Sequence, residues 1–252
     1  MSFDVAATAY GHFMGRYSEP LADELVRLLE LSPGRTALDV GCGPGALTAR
    51  LVDRLGLPAV AAVDPSAPFV EAVRQRIPGL DVRVGRAEEL PWPDDSFDVA
   101  AAALVVHFMR DPVAGLRQMG RVVRPGGAVA ATVWDHAGGR GPISAFWRAV
   151  RSLDPDAPDE SGLAGARAGH LATLFVEAGV DVIWDTALTV RVRCASFEDW
   201  WEPYTLGVGP AGAYVARLAD PGREALRRRC VELLPPAPFD IDATAWCVIG
   251  RV

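Results

Sequence analysis

The stretch 37–51, "ALDVGCGPGALTARL", is a short apolar run that breaks into three closely spaced glycines and resumes as a helix. Glycine tolerates left-handed dihedrals and leaves no Cβ to hold a ligand off the backbone. A helix start beyond such a turn offers free N–H groups and the positive end of a dipole, which suits a carboxylate or a phosphate. Gly41, Gly43 and Gly45 read GxGxG, with the third glycine one residue earlier than in the GxGxxG dinucleotide fingerprint. The other reading of the turn is a place where a helix packs closely on a strand with no ligand.

The surrounding sequence has an alternating rhythm. Strands are expected at 36–40, 59–63, 81–85, 97–106 and 128–134, with helices at 20–31, 45–56, 66–76 and 112–123 between them. Near-continuous apolar strands separated by amphipathic helices predict a parallel sheet covered on both faces. Right-handed crossovers make such a sheet doubly wound, with its binding crevice beyond the strand C-termini. Gly41 to Gly45, Asp64, Gly85 to Glu88 and Val105 to Phe108 all fall at those ends. After Trp134 come a helix at 141–153, a Pro/Asp/Gly-rich loop at 154–162, a helix at 168–180 and a strand at 181–194. A helical stretch over 196–234 precedes a last alternating strand at 239–252.

Asp64 narrows the chemistry. It closes the second strand 21 residues after Gly43 (64 − 43), where an acid accepts two hydroxyl protons from a ribose. Its other natural role is to cap the helix that starts at Ser66. Turn and acid together point to an adenosine-bearing ligand with free ribose hydroxyls, and both NAD and S-adenosylmethionine qualify.

Composition bounds the rest. The 252 residues suffice for one large domain, half are hydrophobic, and the net charge is −7. That acidity weighs against a nucleic-acid partner, whose phosphates demand a basic footprint. Every one of the 25 basic residues is arginine, which excludes a lysine Schiff base. Cys42, Cys194, Cys230 and Cys247 have no metal spacing and read as free thiols. No HExxH, paired histidines or carboxylate cluster suggests a metal. With no 18-residue apolar run and no leader pattern, the chain reads as a soluble cytoplasmic protein, without a membrane partner.

The residues resemble the class I S-adenosylmethionine-dependent methyltransferases of small molecules, in an actinobacterial-like branch. "LDVGCGPG" (38–45), "VDPS" (63–66), "GRAEELPWPDDSFDVAAAALVVHFMRDP" (85–112) and "RVVRPGG" (121–127) carry the likeness. It implies an α/β fold, with a doubly wound, Rossmann-like, mostly parallel seven-stranded sheet, an antiparallel last strand and a helical cap. It divides the chain into an N-terminal helical lid segment (1–34), a core that binds S-adenosylmethionine (35–134) and the C-terminal half of the same domain (135–252), with a cap insertion at about 196–237. Tyr17, Asp39, Gly41, Gly43, Gly45, Asp64, Pro65, Ala87, Glu88 and Leu104 are the cofactor-binding residues it implies, with Arg16 a second candidate beside Tyr17. Arg86 stands where the family often has an aspartate, so adenine recognition falls to backbone or Glu88, because arginine accepts no hydrogen bond.

The implied reaction is in-line transfer of a methyl group to an O, N or C atom of a small-molecule metabolite or natural product. His107 and His136 sit where an acceptor would lie and are the candidate catalytic bases. Trp147, Trp200, Trp201 and Tyr204 are candidates for an aromatic substrate wall, although aromatics at helical spacing also build cores. The alternative is a fold that binds the cofactor without methyl transfer, as a cyclase or a non-catalytic subunit; an NAD-dependent dehydrogenase fits the glycine spacing less well. A monomer or homodimer is expected.

Overall fold

The computed structural model describes residues 10–157 and 159–252. Residues 1–9 of the N-terminal segment lie outside this range. A seven-stranded sheet runs in the order β3-β2-β1-β4-β5-β7-β6. Its strands are β1 (Ala37–Val40), β2 (Val60–Asp64), β3 (Asp81–Val84), β4 (Phe97–Ala103), β5 (Val123–Trp134), β6 (Asp181–Cys194) and β7 (Phe239–Arg251). The first five pair in parallel, while β7 lies antiparallel between β5 and β6. The doubly wound, mostly parallel sheet with an antiparallel last strand is therefore present as expected.

Nine α-helices dress the sheet. They are α1 (Arg16–Leu28), α2 (Ala46–Leu55), α3 (Ala67–Arg76), α4 (Pro112–Val122), α5 (Ser144–Leu153), α6 (His170–Glu177), α7 (Phe197–Trp201), α8 (Gly209–Arg217) and α9 (Asp220–Leu233), counted among the described residues. On one face Leu21 and Leu25 of α1, Leu47 and Leu51 of α2 and Val70 and Val73 of α3 pack with Ala37, Ala101 and Ala130. On the other, Leu116 and Met119 of α4 and Leu171 and Phe175 of α6 pack with Leu38, Val40 and Ala131. Burial of a side chain of this size stabilises by roughly 1.5–3 kcal/mol. Alanine-rich strands leave room for the helices to approach. The helices between β6 and β7 enclose a third core with α5, built on Phe146, Trp147, Trp200, Trp201 and Tyr204.

Three of the boundaries that differ from expectation have a clear cause. The first helix begins at Arg16, not 20, and continues from a π-helical turn at Gly11–Gly15, so Pro20 lies inside it. The fourth strand stops at Ala103 because Leu104 takes a left-handed φ of 64°, which no strand can continue. The fifth starts at Val123, whose pairing with Phe97 begins the ladder before the glycine turn.

The N-terminal end of the sheet is held by one carboxylate. Asp98, 8% exposed, accepts the Thr36 N–H at 2.8 Å and the Thr36 hydroxyl at 3.0 Å. The guanidiniums of Arg35 and Arg124 reach it at 2.9 and 3.3 Å. Burial pushes its pKa up, but the Thr36 donors and the two arginines outweigh burial and hold it below the ordinary value. A group depressed in the folded state stabilises above its unfolded pKa, and that contribution disappears as the pH falls through the folded value. Asp98→Ala is therefore expected to cost about 2–4 kcal/mol in urea unfolding at pH 7. The gap to wild type should shrink below pH 4, and a gap that is constant with pH would show that the charge is not what matters.

Candidate functional site

The tips of β1, β2, β3 and β4 open into a cavity of about 710 Å³. The turn after β1 forms its floor. Gly41, Gly43 and Gly45 all have positive φ, at 74°, 52° and 91°, and they serve different ends. A Cβ on Gly41 would collide with the Val105 side chain, so that glycine is required by packing. A Cβ on Gly45 would press on Val73 of α3 at 3.2 Å, and Gly45 does not line the cavity. A Cβ on Gly43 would meet nothing within 4 Å, although the residue lines the cavity. Gly43 is the position at which bare backbone faces open space.

Two buried aspartates stand beside it. Asp39, at 1% exposure, accepts the Thr48 hydroxyl on Oδ2 at 2.6 Å, while its Oδ1 has no partner among the described residues. Burial pushes its pKa up to about 7; Thr48 opposes the shift and nearby Asp64 adds to it. Asp64 accepts the Gly43 N–H at 2.9 Å on one oxygen and the Ser66 N–H at 2.8 Å on the other. Burial raises its pKa, countered by those two N–H groups. Each oxygen keeps a second lone pair for a hydroxyl. The two roles read for Asp64, ligand acid and start of the next helix, are compatible in one geometry.

Of the other cofactor candidates, Pro65, Ala87, Glu88 and Leu104 also line the cavity. The Glu88 carboxylate accepts the Arg110 N–H at 2.7 Å and the Asp111 N–H at 3.3 Å, so it braces the loop before α4. Arg86 lines the cavity from an exposed position. Tyr17 does not line it; the ring is buried in the core under α1. The next residue on the helix, Ser18, does, and its buried hydroxyl is without a partner. Arg16 is committed elsewhere: it forks onto Asp199 and donates to the Arg193 carbonyl at 3.0 Å.

A smaller chamber of about 40 Å³ adjoins the cavity and shares Tyr10, Leu104, His107 and Phe108 with it. His107 and His136 both line it, with ring centroids 6.0 Å apart. His107 is 7% exposed and its Nδ1 has no partner. Burial, with His136 nearby, pushes its pKa well below the ordinary value. Burial likewise lowers His136 to about 4, against the opposing pull of Asp135 and Asp159. Both rings are neutral at physiological pH and can accept a hydrogen bond. Trp147, Trp200, Trp201 and Tyr204 sit behind the chamber in the third core and do not line it. Their helical spacing turns them inward, where Tyr204 stacks on Phe146 at 4.6 Å. Phe13, Trp134 and Ile143 form the apolar wall instead, and Glu160 is a lining carboxyl that no motif announces. Among the described residues no cluster of ligating side chains suits a metal ion, and no helix is long and apolar enough to cross a membrane.

Residues 38–131 match the family model of a methyltransferase domain. An uncharacterized methyltransferase of Mycobacterium bovis is 38% identical over 135 residues, covering 54% of this chain and 52% of that protein. Nocamycin O-methyltransferase of Saccharothrix syringae is 31% identical over 138 residues, covering 52% of this chain and 49% of the relative. The chain thus spans about half the length of these curated relatives. A structure described as a putative methyltransferase from Bacillus halodurans superposes with a TM-score of 0.60 at 15% identity, covering 91% of this chain and 97% of that one, which shows the fold.

The glycine geometry sets up two different outcomes. Gly41→Ala should lower stability by about 3 kcal/mol or more, through strain and the Val105 collision. Gly43→Ala should cost only about 1–2 kcal/mol, the strain of a left-handed alanine. Equal losses in thermal unfolding would contradict the distinction. Asp39 carries a second expectation. A raised pKa means stability that is present at low pH and is lost as the pH rises through the folded value. Between about pH 4 and pH 7, Asp39 therefore erodes the stability of the ligand-free protein. Asp39→Asn should gain on wild type from pH 5 to pH 8 in urea melts, and a parallel pair of pH profiles would refute the assignment.

Proposed function

We propose that the chain is a class I S-adenosylmethionine-dependent methyltransferase, as the methyltransferase-domain match over residues 38–131 and the 38% identical mycobacterial relative support, and that it moves a methyl group to an O, N or C atom of a small-molecule metabolite or natural product. The observation that carries this reading is the unpartnered Asp39 Oδ1 beside the open face of Gly43, at the floor of a cavity that shares lining residues with a second, largely apolar chamber. A buried acceptor atom without a donor costs roughly 1–3 kcal/mol, and an ammonium-bearing ligand laid on this floor relieves that cost. The name of the nocamycin enzyme supports a small-molecule acceptor.

S-adenosylmethionine, when bound, supplies a methyl group on a sulfonium that is already electrophilic. The protein then has chiefly to align and to exclude water. Asp39, the Gly43 backbone and Ser18 hold the amino-acid end; Asp64 receives the ribose hydroxyls; the Ala87 backbone and neighbouring Glu88 border the base. Leu104 marks the joint between the two spaces. Its left-handed backbone costs roughly 1–3 kcal/mol of strain, a cost typically retained where function requires the shape. His107 presents a neutral imidazole at the same joint and accepts the hydrogen bond, or the proton, of an acceptor that arrives protonated. Its low basicity favours acceptors whose proton is already acidic, or those that need no deprotonation.

Calorimetric titration with S-adenosylmethionine, S-adenosylhomocysteine and NAD is the direct test. Micromolar binding of the two sulfur ligands and none of NAD is expected, with Asp64→Ala weakening both by about 10–100-fold, the worth of hydrogen bonds to a charged carboxylate. Gly43→Ala should also lose binding while remaining folded. Tighter binding of NAD, or no binding of either sulfur ligand, would overturn the proposal.

A further inference from the structure

The loop between α5 and α6 delivers a carboxyl to which the transfer reaction assigns no role. Glu160 is 5% exposed and lines the smaller chamber. Its Oε2 accepts the Trp147 indole N–H at 2.8 Å, while Oε1 has no hydrogen-bond partner among the described residues. Trp147 thus fixes the carboxyl from behind and leaves the other oxygen for an occupant. Burial pushes the group up to about 7, with Trp147 opposing and Asp159 adding to the shift.

The rest of the chamber narrows the occupant. Among the described residues its other ionisable side chains are Tyr10, His107 and His136, and burial holds all three in their neutral forms at physiological pH. Among the described residues no arginine lines it, and the chain contains no lysine. The walls at Phe13, Trp134, Ile143 and Pro210 are apolar. An anionic group placed here would face a carboxyl with no cation among the described lining residues to offset the charge, which is costly at low dielectric. A hydrogen-bond donor would satisfy Oε1, and a second donor or lone hydroxyl would satisfy His107 Nδ1. The space, about 40 Å³, is that of a few water molecules, so it receives one end of an acceptor whose body extends past Leu104 into the larger cavity.

We propose that Glu160 selects the methyl acceptor: its free oxygen takes a hydrogen bond from a hydroxyl or amine carried on an apolar frame, and the chamber turns away acceptors that present a carboxylate or phosphate there. This rests on the methyltransferase reading above and specifies the acceptor side of the same site.

Three probes with one frame and different heads decide the matter: 2-phenylethanol, 2-phenylethylamine and phenylacetate. Their affinities are measured by ligand-observed NMR on the protein saturated with S-adenosylhomocysteine and on the ligand-free protein. The alcohol and the amine should bind, with phenylacetate at least about tenfold weaker, a difference of about 1.4 kcal/mol. Glu160→Gln should reduce the amine-to-acid preference about tenfold while leaving S-adenosylhomocysteine affinity unchanged. Phenylacetate binding as tightly as the alcohol in wild type would overturn the proposal, as would an unchanged preference in a folded Glu160→Gln protein. Should that variant fail to fold, the wild-type ranking alone decides. Failure to bind S-adenosylhomocysteine would instead overturn the methyltransferase reading, because the ranking in the ligand-free protein is read independently.

Discussion

The Asp64 carboxylate binds two successive crossovers of the sheet to each other. One oxygen holds the Gly43 N–H and the other the Ser66 N–H, so the turn after β1 and the start of α3 share a single anchor. Backbone bonds from Gly41 and Cys42 to the Val63 carbonyl, at 2.7 and 3.0 Å, fix the same turn against β2. With its base held this way, the turn can keep three residues at positive φ without collapsing into the cavity. Everything described at the sheet tips follows from that anchoring: the open face of Gly43, the strand ends aligned in parallel register, and the enclosure of Asp39 between them.

Charge is scarce where chemistry is expected. Burial lifts Asp39 and Glu160 towards neutrality and drives both histidines below it, so the lining is polar without being strongly ionic. Such a site gains little from long-range attraction and relies on fit, on the few unpartnered atoms of Ser18, Asp39 and His107, and on the water it excludes. Apart from Arg86 at the cavity's exposed rim, the guanidiniums described lie outside the site. Arg191 and Arg193 pair across β6 and β7 with Asp242 and Asp240, and Arg16 ties α1 to Asp199 of α7 and to the end of β6.

What could be read from the sequence was what depends on neighbours along the chain. The alternation of apolar strands with amphipathic helices is local, and the glycine turn and Asp64 announce themselves by spacing. The details that escaped depend on contacts across the chain. Whether Tyr17 or Ser18 faces the cavity is a matter of about 100° of rotation on α1, set by how that helix lies on the sheet. Four aromatics at helical spacing are compatible with a wall or a core, and only the folding of α7, α8 and α9 over α5 makes them core. Glu160 belongs to a loop with no period to read, and its burial comes from a tryptophan thirteen positions earlier. The early end of β4 reflects a left-handed leucine, a conformation that composition does not signal.

The position of β7 has a consequence for how such a chain comes to be made. Among the described residues β6 pairs only with β7, and β7 fills the gap between it and β5. During vectorial synthesis, residues 181–194 leave the ribosome long before their partner does. Until residues 239–251 follow, the β5 edge stands bare and the completed helices of the cap have no floor to close upon. Parallel and long-range pairings are slow and expose sticky edges while they wait. Residues 239–251 are thus the segment that closes the sheet, joining β5 to β6 only after the cap helices that precede them in the chain.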